Sequence, residues 1–364
     1  MSPKSPLFIS PEIEKSKTLH TDFYTHPAYF EAAKEQIFAQ TWQFVGDTDL
    51  VSEAGSVHPF TLLEGYLDEP LLLTQDEKNH IHCLSNVCTH RGNLVAYSAC
   101  KTSRLRCKYH GRVFGLDGSF VFMPEFQEVE NFPCEDDNLT SLPLFRVGKL
   151  LFTSLSRTAD PRPFFEDMLD RIGWMPLDNM VHRADLSATY QVKANWALYC
   201  ENYLEGFHIP FVHSGLSAVI DYQNYTTEVF TYANLQTGIG KKDDICFDLP
   251  ETSPDFGKNV AAYYFWVFPN MMFNFYPWGL SLNIVEPRGI SETKVSFWVY
   301  VFDESKLEKG AGAGLDQVEL EDEEVVENVQ RGVRSRFYSQ GRYSPTREQG
   351  PHHFHSLIAQ FINP

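Results

Sequence analysis

Residues 88–111 read CTHRGNLVAYSACKTSRLRCKYHG, and within them the pairs Cys88-x-His90 and Cys107-x-x-His110 stand sixteen residues apart. Each loop carries one thiol and one imidazole. Two Cys and two His would suit a tetrahedral structural zinc, but zinc fingers usually pair Cys with Cys and His with His. The alternation here suits a [2Fe-2S] cluster in which two thiolates hold one iron and two imidazoles hold the other. Imidazole in place of thiolate raises the reduction potential and lets a proton travel with the electron. Gly92 and Gly111 allow tight loops and bring backbone N–H groups towards the sulfurs. Cys83, Cys100, Cys134, Cys200, Cys246 and His82 lack this spacing and are read as packing residues.

Outward from these loops, about Val45 to Leu155, the chain shows short apolar runs such as Phe60 to Leu63, Leu71 to Thr74, Ile81 to Leu84 and Leu150 to Thr153. Gly, Asp, Glu and Asn separate them, which predicts a small all-β unit. Before it, an extended leader with Pro3, Pro6 and Pro11 precedes a helix over 27–42 marked by Phe30, Ala33, Ile37, Phe38 and Trp42. After Pro161 come a helix around Pro163 to Ile172, a strand around Ala188 to Val192, a helix from Asn195, several strands between 227 and 302, and a long helix from about 315. Pro269 and Pro277 break Tyr263 to Val285 into two or more buried strands, so it is not a membrane span. The pattern predicts an α+β protein. Its parts are an N-terminal segment, 1–44, packing on the larger domain; a small all-β domain, 45–155; and a domain with a central antiparallel sheet flanked by helices, 156–364. Gly310 to Gly314 lacks phosphate-loop spacing and reads as a flexible linker.

Composition narrows the function classes. The 364 residues are 43% hydrophobic and 21% charged, as in folded globular proteins. Lys plus Arg number 30 against 48 Asp plus Glu, and the formal charge of -18 repels phosphate backbones and anionic lipid, so neither nucleic acid nor a membrane is an expected partner. Seven cysteines, an odd number in a long chain, argue against a disulfide framework. The N-terminus has no apolar core of signal-peptide length, and a cytoplasmic location is expected.

A second constellation lies in residues 195–213, NWALYCENYLEGFHIPFVH. Trp196, Tyr199, Tyr203 and Phe207 form one helical stripe, and Glu201, Glu205 and His208 lie on another. On a continuous helix at about 100° per residue, His208 and His213 would point roughly 140° apart. Pro210 disturbs the helix between them and lets the imidazoles converge. In the long helix, Leu315, Val318, Val325, Val326, Val329 and Val333 define a buried stripe that includes Asp322, with Glu319, Glu321, Glu323 and Glu324 beside or away from it. A carboxylate on a buried face needs a cation or strong donors. Two His and one carboxylate make the facial triad of a non-haem Fe(II) oxygenase. His352, His353 and His355 have mixed spacing and read as packing or exposed residues.

These motifs, in this order and over nearly the whole chain, resemble the Rieske oxygenases, the ring-hydroxylating oxygenase α-subunit family. The resemblance implies that Cys88, His90, Cys107 and His110 bind the Rieske [2Fe-2S] cluster, and that His208, His213 and Asp322 bind a mononuclear Fe(II). It also implies that Glu205 bridges an iron ligand of one subunit to His110 of the partner subunit within a homotrimer. Asp is commonest at that bridging position; Glu205 is closer to the monooxygenases of quaternary ammonium compounds such as choline and carnitine. The second loop departs from the family pattern, with Lys108 in place of Pro and Arg112 in place of Trp, which implies an altered docking surface for the electron donor.

The implied reaction is oxygen insertion from O2, with electrons from NAD(P)H delivered through a separate flavin/iron-sulfur reductase or ferredoxin. N-demethylation or hydroxylation of a small quaternary amine is the first expectation, because aromatics between Tyr263 and Trp278 could cage a cation. Hydroxylation of an aromatic ring compound is the alternative. A Rieske electron carrier or partner-binding protein without oxygenase activity is the alternative of another class.

Overall fold

The computed structural model describes residues 5–213, 221–241, 244–307, 309–312 and 315–363, without the side chains of 315–318. The chain forms two compact units, one of Met1–Phe38 with Asp160–Pro364 and the other of Ala39–Ala159.

In the first unit, the aromatic stretch of the sequence folds as the middle of an antiparallel sheet. Val260–Val267, Met271–Tyr276 and Gly279–Gly289 pair in turn, and Glu292–Val301 and Val181–His182 continue one side while Ala233–Ile239 and Thr226–Val229 continue the other. Ala188–Val192 also pairs with Glu292–Val301. Val260–Val267 and Met271–Tyr276 are buried along their whole length, so both faces of the sheet are covered, which explains a continuous apolar run instead of an alternating one. On one face, Phe354 of the helix Gln349–Ile362 meets Trp196 and Trp266 with ring centroids 5.7 and 5.1 Å apart. Phe38 packs on the same Trp196 at 4.9 Å. Burying each such ring contributes about 1.5–3 kcal/mol.

The opposite periodicity appears in the pairing register. Gln236 lies opposite Tyr264, Tyr264 opposite Asn274, and Asn274 opposite Ser281. These four residues therefore form one row across four strands, and side chains in register share a face. This row lines the cavity described below.

The N-terminal helical segment is shorter than expected. Pro27–Ala33 is α-helical, Lys34–Phe38 is a π turn, and Trp42 lies beyond it, just before the strand Gln43–Asp47. The linker expectation is also corrected: Gly310–Gly312 is a short helical turn whose Ala311 is buried, because it packs with Tyr276 and Trp278. Residues 313 and 314 lie outside the described residues.

The second unit is all-β. A five-stranded sheet runs in the order Cys100–Lys101, Ser56–Leu62, Glu69–Gln75, Ile81–Ser85, Ser141–Leu142. Gln43–Asp47, Leu150–Thr153 and Leu144–Val147 form a second sheet, and Leu105–Arg106, Val113–Phe114 and Phe120–Phe122 a third. Cys88 and Cys107 sit in one apolar cluster with Leu72, Leu84, Val95 and Phe114, which brings the two Cys-His loops together. The protein thus has the α+β architecture, a small all-β domain and an antiparallel sheet flanked by helices.

Candidate functional site

The two Cys-His loops share one backbone scheme. Cys88 N–H donates to Asn93 O at 2.8 Å and Gly92 N–H to Cys88 O at 3.0 Å; Cys107 N–H donates to Arg112 O at 2.9 Å and Gly111 N–H to Cys107 O at 3.0 Å. Gly92 and Gly111 have φ of 69° and 75°, the left-handed region in which a side chain is strained. The thiols are buried, His90 is half-buried and His110 exposed, with the imidazole centroids 4.7 Å apart. Asn93 Nδ2 lies 3.5 Å from Cys107 Sγ. Burial opposes ionisation of Cys107, but the N–H groups of Tyr109 and His110, the Asn93 amide and the Cys88 thiol outweigh it and hold this thiol below its ordinary range. Paired buried sulfurs with donors aimed at them, and paired imidazoles towards solvent, fit a Rieske [2Fe-2S] cluster.

Two details differ from expectation. Cys100 and Cys134 are exposed, so packing does not account for them, whereas Cys83 and Cys200 are buried. Of the two departures at the second loop, Lys108 is at the surface, its Nζ 4.9 Å from the Tyr97 ring centroid, while Arg112 is buried and offers nothing to a docking partner.

The second group is built where a helix stops. Asn195 caps Trp196–Tyr203 by accepting the Ala197 N–H at 3.0 Å, and its own N–H donates to Gln330 Oε1 of the long helix Leu315–Gly332 at 2.7 Å. The helix ends at Leu204, so Phe207 leaves the predicted stripe and is exposed. Glu205 turns its carboxylate back onto the N–H groups of Phe207 and His208. A new short helix, Ile209–Val212, starts with Pro210 in its first turn, where a missing N–H costs nothing.

This break brings His208 Nε2 and His213 Nε2 to 3.1 Å, and Asp322 Oδ1 lies 3.5 and 3.0 Å from them. Each imidazole is oriented from behind, His208 Nδ1 by Glu205 at 2.8 Å and His213 Nδ1 by Glu321 at 2.7 Å. With both Nδ1–H groups donating to carboxylates, both Nε2 atoms present lone pairs. Asn202 Nδ2 donates to Asp322 Oδ1 at 2.6 Å. Two nitrogen lone pairs and a carboxylate oxygen converge within 4.8 Å of one another, and a divalent cation satisfies all three. Burial opposes protonation of His213, yet Asp322 and Glu321 outweigh it and raise this imidazole above its ordinary value. A proton and a metal ion therefore compete for the same nitrogen.

The three residues open onto a cavity of about 820 Å³, part of it open to solvent. Tyr203, Tyr225, Tyr264 and Tyr276 stand on its wall, with Tyr264 centroids 6.4 Å from Tyr225 and 6.0 Å from Tyr276. Gly206 permits this, since a Cβ there would stand 2.6 Å from Tyr225 Cε1. Of the nine aromatics noted between Tyr263 and Trp278, only Tyr264 and Tyr276 line the cavity, and the rest are buried in the sheet's packing.

The long helix corrects the sequence reading of its face. Glu319 is buried, at 5% exposure, and accepts the Tyr199 O–H at 2.6 Å, while Val329 is 43% exposed. The inward stripe is Glu319, Asp322, Val326, Gln330 and Val333, at steps of three and four. Apolar residues alone misplaced it; the i to i+3 step from Glu319 to Asp322 was the available signal. The side chains of Leu315 and Val318 lie outside the described residues. Burial pushes the Glu319 carboxyl up to about 8, Tyr199 working against the shift and Asp322 and Glu323 adding to it. His355, read as packing or exposed, is buried, and its Nδ1 pairs with Tyr343 at 2.5 Å.

Comparison with known proteins covers both groups. A ring-hydroxylating alpha subunit (catalytic domain) family matches residues 177–363, and a Rieske [2Fe-2S] domain family matches 41–133. Choline monooxygenase of Beta vulgaris, chloroplastic, is 30% identical over 97% of this chain and 79% of its own length. The carnitine monooxygenase oxygenase subunit of Escherichia coli K12 is 29% identical over 99% of both. A solved quaternary ammonium Rieske monooxygenase shares the fold with a TM-score of 0.77 at 22% identity, over 98% of this chain and 100% of that one. No helix among the described residues is long and apolar enough to cross a membrane. The residues that match the cluster motif, the facial arrangement of two imidazoles and one carboxylate, and the family matches over both halves agree: the chain belongs to the Rieske non-haem iron oxygenases of the ring-hydroxylating alpha subunit family.

Proposed function

We propose that this oxygenase hydroxylates or N-demethylates a small quaternary ammonium compound. The observation that carries the reading is the cavity wall. Five tyrosines, Tyr199 with the four above, line a space that the carboxylates of Glu205 and Asp322 also line, and no Lys or Arg lines it among the described residues. A quaternary ammonium group lacks N–H donors, so it is recognised by aromatic faces and by negative potential. An arene would use the rings but gain nothing from the carboxyls. The relatives named for choline and carnitine oxidation point the same way.

His208, His213 and Asp322 would hold the Fe(II), and Cys88, His90, Cys107 and His110 the Rieske cluster. Together these metals supply electron relay and O2 activation when bound. Glu205 holds His208 in the tautomer that leaves Nε2 free. Its second role is to bridge to His110 of the partner subunit in a homotrimer, which would carry electrons between copies. Glu321 fixes His213 in the same way. The tyrosines exclude water and seat the cation, and the in-register row of Gln236, Asn274 and Ser281 offers hydrogen-bonding groups to a polar tail. A separate reductase or ferredoxin delivers the electrons from NAD(P)H.

Isothermal titration of the metal-loaded protein with choline, betaine, carnitine and a panel of simple arenes tests the reading. Heat with at least one quaternary amine and none with arenes supports it; heat with the arenes alone overturns it.

A further inference from the structure

Arg112, the departure from the family pattern in the second ligand loop, is enclosed within the cluster-bearing unit. Its side chain is 2% exposed, and its Cζ stands 5.7, 5.0 and 5.5 Å from the ring centroids of Phe114, Phe120 and Phe132. A guanidinium in an apolar box is stable only when paired. Its partner is Asp137: Nη2 donates to Oδ1 at 2.5 Å and to the backbone carbonyl at 3.1 Å, while Nε finds no acceptor among the described residues.

The same Asp137 receives the other ligand loop. Thr89, between Cys88 and His90, donates its hydroxyl to the Asp137 carbonyl at 2.9 Å. Arg112 follows His110 and Gly111, and its carbonyl accepts the Cys107 N–H at 2.9 Å. Asp137 is itself fixed by the Cys134 N–H, which donates to Oδ2 at 2.8 Å. Contacts from both ligand loops thus meet on one residue outside either loop. We propose that Arg112 and Asp137 form a clasp that positions the two cluster-ligand loops and sets the reduction potential of the cluster. A cluster that accepts an electron gains negative charge, so the Arg112 cation favours the reduced form and the Asp137 anion opposes it. The clasp is independent of the substrate reading, since none of its residues lines the cavity.

The test uses the full-length, cluster-loaded protein and the variants R112K, R112L and D137N. Cluster retention is followed as acid-labile sulfide and visible circular dichroism under chelator, and the midpoint potential by redox titration. All three variants are expected to lose the cluster about 10- to 100-fold faster than wild type. R112L is expected to lower the potential and D137N to raise it, a difference in sign that loosened packing alone would not produce. R112K keeps the charge without the fork, so it is expected to lose the cluster quickly at a nearly unchanged potential; it also serves if R112L does not fold. Wild-type retention in R112K and D137N, or potentials shifting in the same direction in R112L and D137N, would overturn the proposal.

Discussion

His208 and His213 stand five residues apart in the chain and 3.1 Å apart at their Nε2 atoms. A regular helix would hold them on divergent faces. The helix break between Leu204 and Ile209 brings them together, and Asp322 closes the group from a helix more than a hundred residues away.

Removing one member of this group should remove one iron and leave the cluster. D322A and H213A are expected to fall from roughly three irons per chain to two, with acid-labile sulfide unchanged at about two. Metal and sulfide analysis checks this, and substrate-dependent O2 uptake should be lost. Loss of sulfide together with the iron would contradict the separation of the two sites.

Glu205 pairs with His208 Nδ1 and is proposed to bridge to the partner subunit, so E205A should keep both metals and lose electron delivery. Turnover with reductase is expected to fall about 10- to 100-fold. Rapid-mix reduction would show a normal reduced cluster that passes its electron on slowly. Near wild-type turnover with both metals bound would remove the bridging role.

The tyrosine wall predicts a graded response. Replacing Tyr264 or Tyr276 with Ala should weaken binding of a quaternary amine about 2- to 30-fold, the range of one cation-π contact, with Phe retaining most of the affinity. Equal losses in the Ala and Phe variants would point to the hydroxyls instead of the ring faces.

Glu319 predicts a pH dependence of stability. Its ordinary value is 4.5, and burial raises it to about 8 in the fold, so between these values the folded chain holds a proton that the unfolded chain has released. This contribution to stability is complete below 4.5 and is lost as pH rises through about 8, at up to about 1.4 kcal/mol per pH unit. E319Q cannot ionise, so denaturant titrations of the metal-free protein should show a shallower decline over that window than wild type. Parallel pH profiles would place the carboxyl in a less desolvated state than the fold shows.

Much of this protein is legible in one dimension. The Cys-x-His and Cys-x-x-His loops name the cluster because ligand chemistry depends on residue type and on spacing within a single turn of chain. Pro210 announces the convergence of two histidines for the same reason, since it acts on the backbone beside it. The cavity face is different. Gln236, Tyr264, Asn274 and Ser281 belong to four strands and meet only through pairing register, which local propensity does not encode. Glu319 reads from the sequence as lying beside or away from the buried stripe, and only the packing of two helices buries it against Tyr199. Arg112 looked like a surface change until Asp137, twenty-five residues on, drew it inside. Residue type and spacing along the chain determined which atoms can bind iron. The tertiary structure alone decided which carboxyls and cations lost their water, because desolvation depends on neighbours that only long-range packing supplies.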